Sequence, residues 1–233
     1  YVVGNSHKAV VGQLAWSLFD EEFPTQGRAE ILCSSIFLEK ELQPAAHLGS
    51  GGRTRAVVKV QDGCNANCSF CIIPSVRGRS RSMVPDSVLQ EVRDLILRGY
   101  KEIVFSGIHL GSYGRDLPEK SSLYELATRT LGIPRLERLR LSSIEPLEVV
   151  PEVIELMAQH PLMAKHFHVP LQSGSSRVLR AMRRPYSPEY YGDLTERIRQ
   201  RIPDAAIGAD VMVGFPGETD DDFRELLDFV EQA

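Results

Sequence analysis

The sequence predicts an α/β fold: repeated βα units around a parallel sheet with right-handed crossovers. Three observations carry that expectation. From Arg53 onward, short β-branched runs alternate with amphipathic helical stretches. Gly, Pro, Ser and Asp punctuate the boundaries as turn and cap residues. Polar, glycine-bearing words follow one strand after another, at the C-terminal ends where such sheets place their sites.

Residues 1 to about 52 read differently from the rest. Ser6 can cap a helix carrying Ala9, Val10, Leu14 and Leu18 at helical spacing. Stretches 24–27 (PTQG) and 48–52 (LGSGG) mark loops or a linker, so this part reads as the tail of a preceding domain. Cys33, among apolar neighbours in AEILCSSIF, reads as a buried structural thiol.

In the remainder, residues 57–60 form the first strand. Asp86 or Ser87 caps a helix with Val88, Val92, Leu95 and Ile96 on one face, ended by Gly99. Residues 102–106 are the second strand, 123–131 the next helix and 136–141 the third strand. Pro151 opens a helix in its first turn, where a missing N–H is harmless, with Val150, Val153, Ile154 and Met157 inward. Residues 166–170 are the fourth strand, and Ser175 and Ser187 cap the next two helical pieces. Residues 207–213 are the fifth, and Thr219 with Asp222 opens a helix carrying Phe223, Leu226, Leu227 and Val230.

Composition is that of an ordinary globular protein, 42% hydrophobic and 25% charged, with no apolar run near the roughly 20 residues of a membrane span. The opening YVVGNSHK lacks the pattern of a signal peptide. Clustered thiols kept reduced fit a cytoplasmic home. A net charge of −4 is not the footprint of a chain that grips nucleic acid over its whole surface. The local candidate is Arg77-Gly78-Arg79-Ser80-Arg81, either a phosphate contact or a solvated turn whose arginines pair with carboxylates.

The chemistry concentrates in KVQDGCNANCSFCIIPSVRGRSRS, residues 59–82. Three of the four cysteines, Cys64, Cys68 and Cys71, lie there at spacing C-x3-C-x2-C. Thiolates select iron–sulfur clusters, zinc or Cu(I). Structural zinc is normally closed by four protein ligands, and electron-transfer clusters usually take four cysteines. Three therefore leave one coordination position for a ligand that is not protein. A zinc knob or an ordinary reduced-thiol loop is the bland alternative.

The C-x3-C-x-aromatic-C loop after a short apolar strand resembles the radical S-adenosylmethionine (SAM) enzymes. RTRAVVKVQDGC, CIIPSVRGRSRS, SSIEP, FHVPLQSGSSRVLRAMRRPY and VGFPGET, in that order, resemble the methylthiotransferase branch, closest to the enzymes that thiomethylate N6-threonylcarbamoyladenosine in tRNA. The resemblance implies a partial (βα) TIM-like barrel of the radical SAM type, truncated before its sixth and last strand. It implies that residues 1–52 are the tail of an N-terminal methylthiotransferase domain plus linker, and that residues 53–233 are the radical SAM core. It implies that the family's C-terminal TRAM domain lies beyond residue 233, outside these residues. It implies a [4Fe–4S] cluster on Cys64, Cys68 and Cys71 with SAM on the open iron, and a second [4Fe–4S] cluster in the missing N-terminal domain.

Phe70 resembles the family aromatic beside the SAM adenine, or packs under the loop. Gly107 can let backbone meet the methionyl amine, and His109 extends that loop or is an ordinary rim histidine. Glu145 and Gln172 offer polar atoms for the SAM amine or ribose. Arg184 resembles the arginine that meets the SAM carboxylate, with Arg183 facing solvent. Gly214 and Phe215 look like the turn beside adenine, and Glu218 reads as a helix N-terminal acid. No acid–base pair is nominated, because the cofactor supplies the hard chemistry. Implied partners are a tRNA substrate and a reductant such as flavodoxin or ferredoxin, with no membrane. A sister activity on a ribosomal protein or on isopentenyladenosine in tRNA, and a non-catalytic Fe–S or Zn module, are the competing readings.

Overall fold

The computed structural model describes residues 1–17, 29–39, 42 and 54–232. The N-terminal stretch contributes β1 (Val2–Val3), a 3-10 turn at Asn5–Val10, α1 (Val11–Ser17) and β2 (Ile31–Leu32), which pairs in parallel with β1. Then come β3 (Arg55–Lys59), β4 (Gln61–Asp62), α2 (Ile73–Arg77), β5 (Arg81–Ser82), α3 (Pro85–Leu97), β6 (Glu102–Ser106), α4 (Leu123–Leu131) and β7 (Arg138–Leu141). The chain continues through α5 (Pro151–Gln159), β8 (His166–His168), α6 (Ser176–Ala181), α7 (Pro188–Arg201), β9 (Ala206–Gly208) and α8 (Asp220–Gln232).

β3, β6 and β7 form one parallel sheet in that order, and β8 pairs in parallel with β9. The two are joined by a bridge between Leu139 and Met163 and by the Ile144 N–H donating to the His168 carbonyl at 2.9 Å. The described strands do not close, so the expected partial barrel is an open, curved α/β layer.

Alternation along the strands explains the layering. Ala56, Val58, Ile103, Phe105, Leu139, Leu141 and Phe167 are buried, in one core with Val88, Val92 and Leu95 of α3, Leu126 of α4, Val153 and Met157 of α5, and Leu194 and Ile198 of α7. The alternate residues, Arg55 to Lys59 and Glu102 to Ser106 among them, are half-buried or exposed on the opposite, concave face. That face carries Val57 and Val104 beside a charged cluster, in which Glu102 pairs with Arg140 at 2.7 Å and Arg55 at 3.3 Å.

Several expectations need correction. β3 starts two residues early, and β8 stops at His168 rather than residue 170. Pro170 has no N–H to give a neighbouring strand, and pairing resumes only at Gln172, whose N–H donates to the Asp210 carbonyl at 2.8 Å beside an isolated bridge to Val211. Accordingly β9 spans 206–208 instead of 207–213. β7 begins at Arg138 rather than 136.

The caps also differ. α3 starts on Pro85 behind Val84 without a side-chain cap, and Asp86 lies in its first turn. Ser175 leaves α6 uncapped because its hydroxyl donates to Asp222 at 2.8 Å. Ser187 does cap α7, through the Tyr190 N–H. Ser6 lies within the 3-10 turn and instead accepts the Ser34 N–H. A capping box of Ser122 and Glu125 fixes the start of α4. Val150 is 38% exposed, and of the four apolar residues expected on the helix opened by Thr219, Leu226 is buried while Phe223, Leu227 and Val230 face out. Cys33 is exposed, not buried. Leu18 and the stretches 24–27 and 48–52 lie outside the described residues.

Thr219 and Asp222 open α8 as expected, and Asp222 does more. Its buried carboxylate accepts Arg177 Nε at 3.0 Å, Ser175 Oγ at 2.8 Å and the Thr219 N–H at 2.8 Å, tying the loop after β8 to the turn after β9. The Arg177 guanidinium, then Thr219, holds its carboxyl well below the usual carboxylate range. A depressed folded pKa stabilises the fold above the unfolded value of about 3.9, and that stabilisation is lost as pH falls below it. Acid titration of Asp222→Asn is therefore expected to show a weaker loss of stability below about pH 4 than the parent, from a lower plateau at pH 7.

Candidate functional site

The loops that follow the strands meet on one rim. The three-cysteine loop follows β4, which extends β3, and its two ends cross. Gly63 has φ 73°, and a Cβ there would lie 2.0 Å from the Arg79 carbonyl oxygen. The Cys64 N–H donates to the Gly78 carbonyl at 3.1 Å. On the far side, the Ser69 N–H and hydroxyl donate to the carbonyls of Met182 at 3.1 Å and Ala181 at 2.9 Å, which anchors the loop to the end of α6.

Cys64, Cys68 and Cys71 are all half-buried free thiols. Donors reach two of the sulfurs. The Ala66 N–H lies 3.3 Å and His109 Nδ1 3.6 Å from Cys64 Sγ, and Arg184 Nη1 donates to Cys68 Sγ at 3.1 Å. Burial alone would raise the Cys64 pKa, but the contacts with His109 and the Ala66 N–H bring it below the ordinary thiol value. His109 is pushed up to about 9, first by Cys64 and then by Glu148, whose carboxylate is 3.6 Å from Nε2. Among the described residues, no three His, Cys, Asp or Glu side chains converge on a single metal ion. Three thiols on one loop with N–H donors toward the sulfur fit an anionic iron–sulfur cluster, whose irons are ligated separately.

Of the other expected residues, Arg184 is brought closest to the thiols. It is buried, donates to Cys68, pairs with the Glu145 carboxylate and lies 5.0 Å from the centre of the Tyr186 ring. Burial disfavours its charge, but Glu145 holds its pKa above the ordinary value. Arg184 and Glu145, expected to meet SAM separately, are thus partners of one another. Arg183 is exposed at φ 58°, as expected.

Gly107 has a packing reason of its own. A Cβ there would meet Gln61 Oε1 at 2.9 Å. Gln61 is fully buried, accepts the His109 N–H at 2.8 Å and donates to the Gly63 carbonyl at 2.8 Å, so it joins the loop after β6 to the cysteine loop. Phe70 is 38% exposed. Gln172 adopts φ 68°, a left-handed conformation uncommon for a non-glycine residue. Gly214 has φ 75°, and its N–H donates to Glu218, which therefore closes the turn rather than serving only as a helix-end acid; Phe215 is half-buried in that turn.

The expected basic patch is largely spent on structure. Arg77 pairs with Asp62 at 3.3 Å, and Arg81 is buried, donating to the carbonyls of Arg77 at 2.9 Å and Glu39 at 3.3 Å. Within the run only Arg79 stays exposed.

Sequence reasoning missed Gln61, and it missed a row of polar groups across three strand ends. Ser143 Oγ lies 2.5 Å from His168 Nδ1, and His168 Nε2 is 3.3 Å from Asp210. The alternation in His166-Phe167-His168 was the available signal, since it turns both histidines to the concave face.

A rim of βα loops around three thiols defines a cluster-binding α/β protein, and comparison places it within a family. The Radical SAM superfamily model matches residues 58–230. The chain belongs to the radical SAM superfamily. It is 39% identical over 216 residues to threonylcarbamoyladenosine tRNA methylthiotransferase MtaB of Bacillus subtilis, covering 91% of this chain and 46% of that protein. It is 43% identical over 179 residues to tRNA-2-methylthio-N(6)-dimethylallyladenosine synthase of Carboxydothermus hydrogenoformans, covering 77% of this chain and 41% of that protein. The chain thus spans less than half the length of these relatives. Among solved structures, the radical SAM methyltransferase TsrM from Kitasatospora setae, with cobalamin and a [4Fe–4S] cluster bound, superposes with TM-score 0.61 at 20% identity, covering 76% of this chain and 34% of that one. Coproporphyrinogen III oxidase HemN from Escherichia coli gives 0.54 at 16% identity, covering 76% and 41%. These two support the fold.

Two outcomes follow from the loop geometry. Gly63→Ala is expected to lose at least ~1–3 kcal/mol from its left-handed backbone alone and to cut the iron bound after reconstitution, whereas Gly99→Ala, also at positive φ but with nothing within 4 Å of its Cβ, keeps full iron loading. In cluster-free protein, His109→Gln is expected to slow iodoacetamide alkylation of Cys64 at pH 7 several-fold, the difference vanishing at high pH where either thiol is ionised.

Proposed function

We propose that the chain is the radical SAM core of a tRNA methylthiotransferase that installs a 2-methylthio group on N6-threonylcarbamoyladenosine. The observation that carries the substrate is reach: similarity to the threonylcarbamoyladenosine enzyme extends over 91% of this chain, against 77% for the dimethylallyladenosine enzyme. The higher identity to the latter, 43% against 39%, favours dimethylallyladenosine as the second reading. In either case residues 1–52 are the tail of a preceding domain and linker, and residues 53–233 the catalytic core. Electrons come from a small reductant, and tRNA contacts rest mainly on parts of the protein outside this chain.

Cys64, Cys68 and Cys71 would hold a [4Fe–4S] cluster, with SAM on its open iron. When bound, the two supply one-electron chemistry able to take hydrogen from an unactivated C–H bond. The protein's own residues bind and orient. Arg184 and Glu145, side by side, match the carboxylate and ammonium of an amino-acid end in charge and order. The 5.0 Å stack on Tyr186 and the hydrogen bond to Cys68 keep the guanidinium beside the cluster loop. Gln172, Gly214 and Phe215, on the loops after β8 and β9, and the exposed Phe70 ring are positioned for the nucleoside end. His109 touches Cys64 and so bears on the cluster rather than on SAM. No helix among the described residues is long and apolar enough to cross a membrane.

The test is anaerobic reconstitution of the full protein with iron and sulfide, reduction, and addition of SAM with tRNA bearing one or the other modified adenosine. Production of 5′-deoxyadenosine that is lost in Cys68→Ala, with methylthiolation of threonylcarbamoyladenosine, is the expected result. Methylthiolation of dimethylallyladenosine alone would transfer the function to the second reading. A loaded cluster with no SAM cleavage would overturn both.

A further inference from the structure

Asp62 is a fully buried carboxylate two residues ahead of Cys64. It accepts Lys8 Nζ at 3.0 Å, Lys59 Nζ at 3.2 Å, Arg77 Nη1 at 3.3 Å and the Gly63 N–H at 2.9 Å. Three cations around one buried anion exceed what neutralising it requires. They come from separate places: Lys59 from the end of β3, Arg77 from the helix leaving the cysteine loop, and Lys8 from the N-terminal segment.

Packing joins the same three pieces independently. Asn5 Nδ2 donates to the Val76 carbonyl at 2.8 Å, and Arg81 reaches the Glu39 carbonyl at 3.3 Å. A Cβ on Gly78 would sit 3.0 Å from the Ile36 carbonyl, and one on Gly63 would run into Arg79. The N-terminal segment, the exit of the cysteine loop and its entry therefore meet at contact distance at several separate points, with Asp62 in the charged joint.

We propose that Asp62 is a positioning residue through which the N-terminal segment, by way of Lys8, fixes the cysteine loop and sets the charge beside the cluster, so that docking of that segment is felt in the cluster's reduction potential. This rests on the reading that Cys64, Cys68 and Cys71 hold an iron–sulfur cluster, whose potential follows local charge and hydrogen bonding. The sign follows from Coulomb's law: an added electron is favoured by nearby cations and opposed by nearby anions.

The experiment measures midpoint potential by EPR-monitored redox titration of the reconstituted full protein, alongside iron content and limited proteolysis of the cluster-free protein. Lys8→Met is expected to keep its iron, shift the potential negative and speed cleavage within the N-terminal segment. Asp62→Asn shifts it positive, and Asp62→Glu returns it toward the parent. A merely structural defect would lower iron content or move both variants the same way, which would overturn the proposal. So would unchanged potentials at full iron content. If Asp62→Asn does not fold, Lys8→Met decides alone, and an unchanged potential and cleavage pattern sinks the idea. A parent protein that takes up no iron–sulfur cluster would instead refute the cluster reading, and the proteolysis arm would still decide whether Lys8 tethers the segment.

Discussion

The architecture depends on burying one face of a parallel sheet and leaving the other unburied. Phe105, Ile103, Leu139 and Val58 disappear under the helices, while Glu102, Arg140, Lys59 and His168 alternate with their neighbours toward the concave side. A strand buried on both faces reads as a continuous apolar run. β7, Arg-Leu-Arg-Leu, and β8, His-Phe-His, alternate plainly, whereas the centres of β3 and β6 carry three apolar residues in a row, of which the middle ones, Val57 and Val104, are not buried. A face carrying Glu102, Arg140, Lys59 and His168 among its few valines cannot pack on itself as a closed, apolar barrel core would. It suits a charged, hydrogen-bonding ligand, and the same constraint sends every functional loop to one rim.

Those loops are anchored in the core by Leu110, Tyr113, Ile144, Val169 and Leu171, but apolar packing does not order their polar stretches. Buried polar joints do. Asp62 gathers the ends of the cysteine loop, Gln61 ties it to the loop after β6, and Asp222 ties the loop after β8 to the turn after β9. Each joint is well satisfied, which buried polar groups require if they are not to destabilise the fold. Glycines at positions 63 and 107 are part of this scheme, because they let the joints close at contact distance.

How much the sequence disclosed depends on the range of the interaction. Elements set by local periodicity were legible nearly to the residue: α4 at both ends, α5 at its start, β6 in full, and Ser187 as a cap. The three thiols declared themselves by spacing. What failed was decided by partners distant in the chain. Ser175 looks like a cap until Asp222, 47 positions on, takes its hydroxyl. Of the two readings open for the Arg77–Arg81 run, pairing with a carboxylate holds for Arg77, but which carboxylate, Asp62, and that Arg81 turns to two carbonyls, was set by the fold. Cys33 sits in an apolar string, yet that string runs along the surface, where apolar composition gives no burial. The apolar stripe of α8 was read correctly as a stripe, but among the described residues little covers it.

Arg184 shows how the site can wait for its ligand. A guanidinium this deeply buried needs a counter-charge in every state, since an unpaired buried ion is costly. Glu145 supplies it here, Tyr186 covers one face of the fork, and Cys68 accepts one of its donors. A ligand carboxylate entering this corner would replace one anion by another, and its ammonium would meet the carboxylate so displaced. The exchange keeps the number of ion pairs from falling and avoids desolvating a bare charge. On the proposed reading, this corner would favour a molecule carrying both signs at adjacent positions, because a simple anion taking Arg184 would leave Glu145 without that partner.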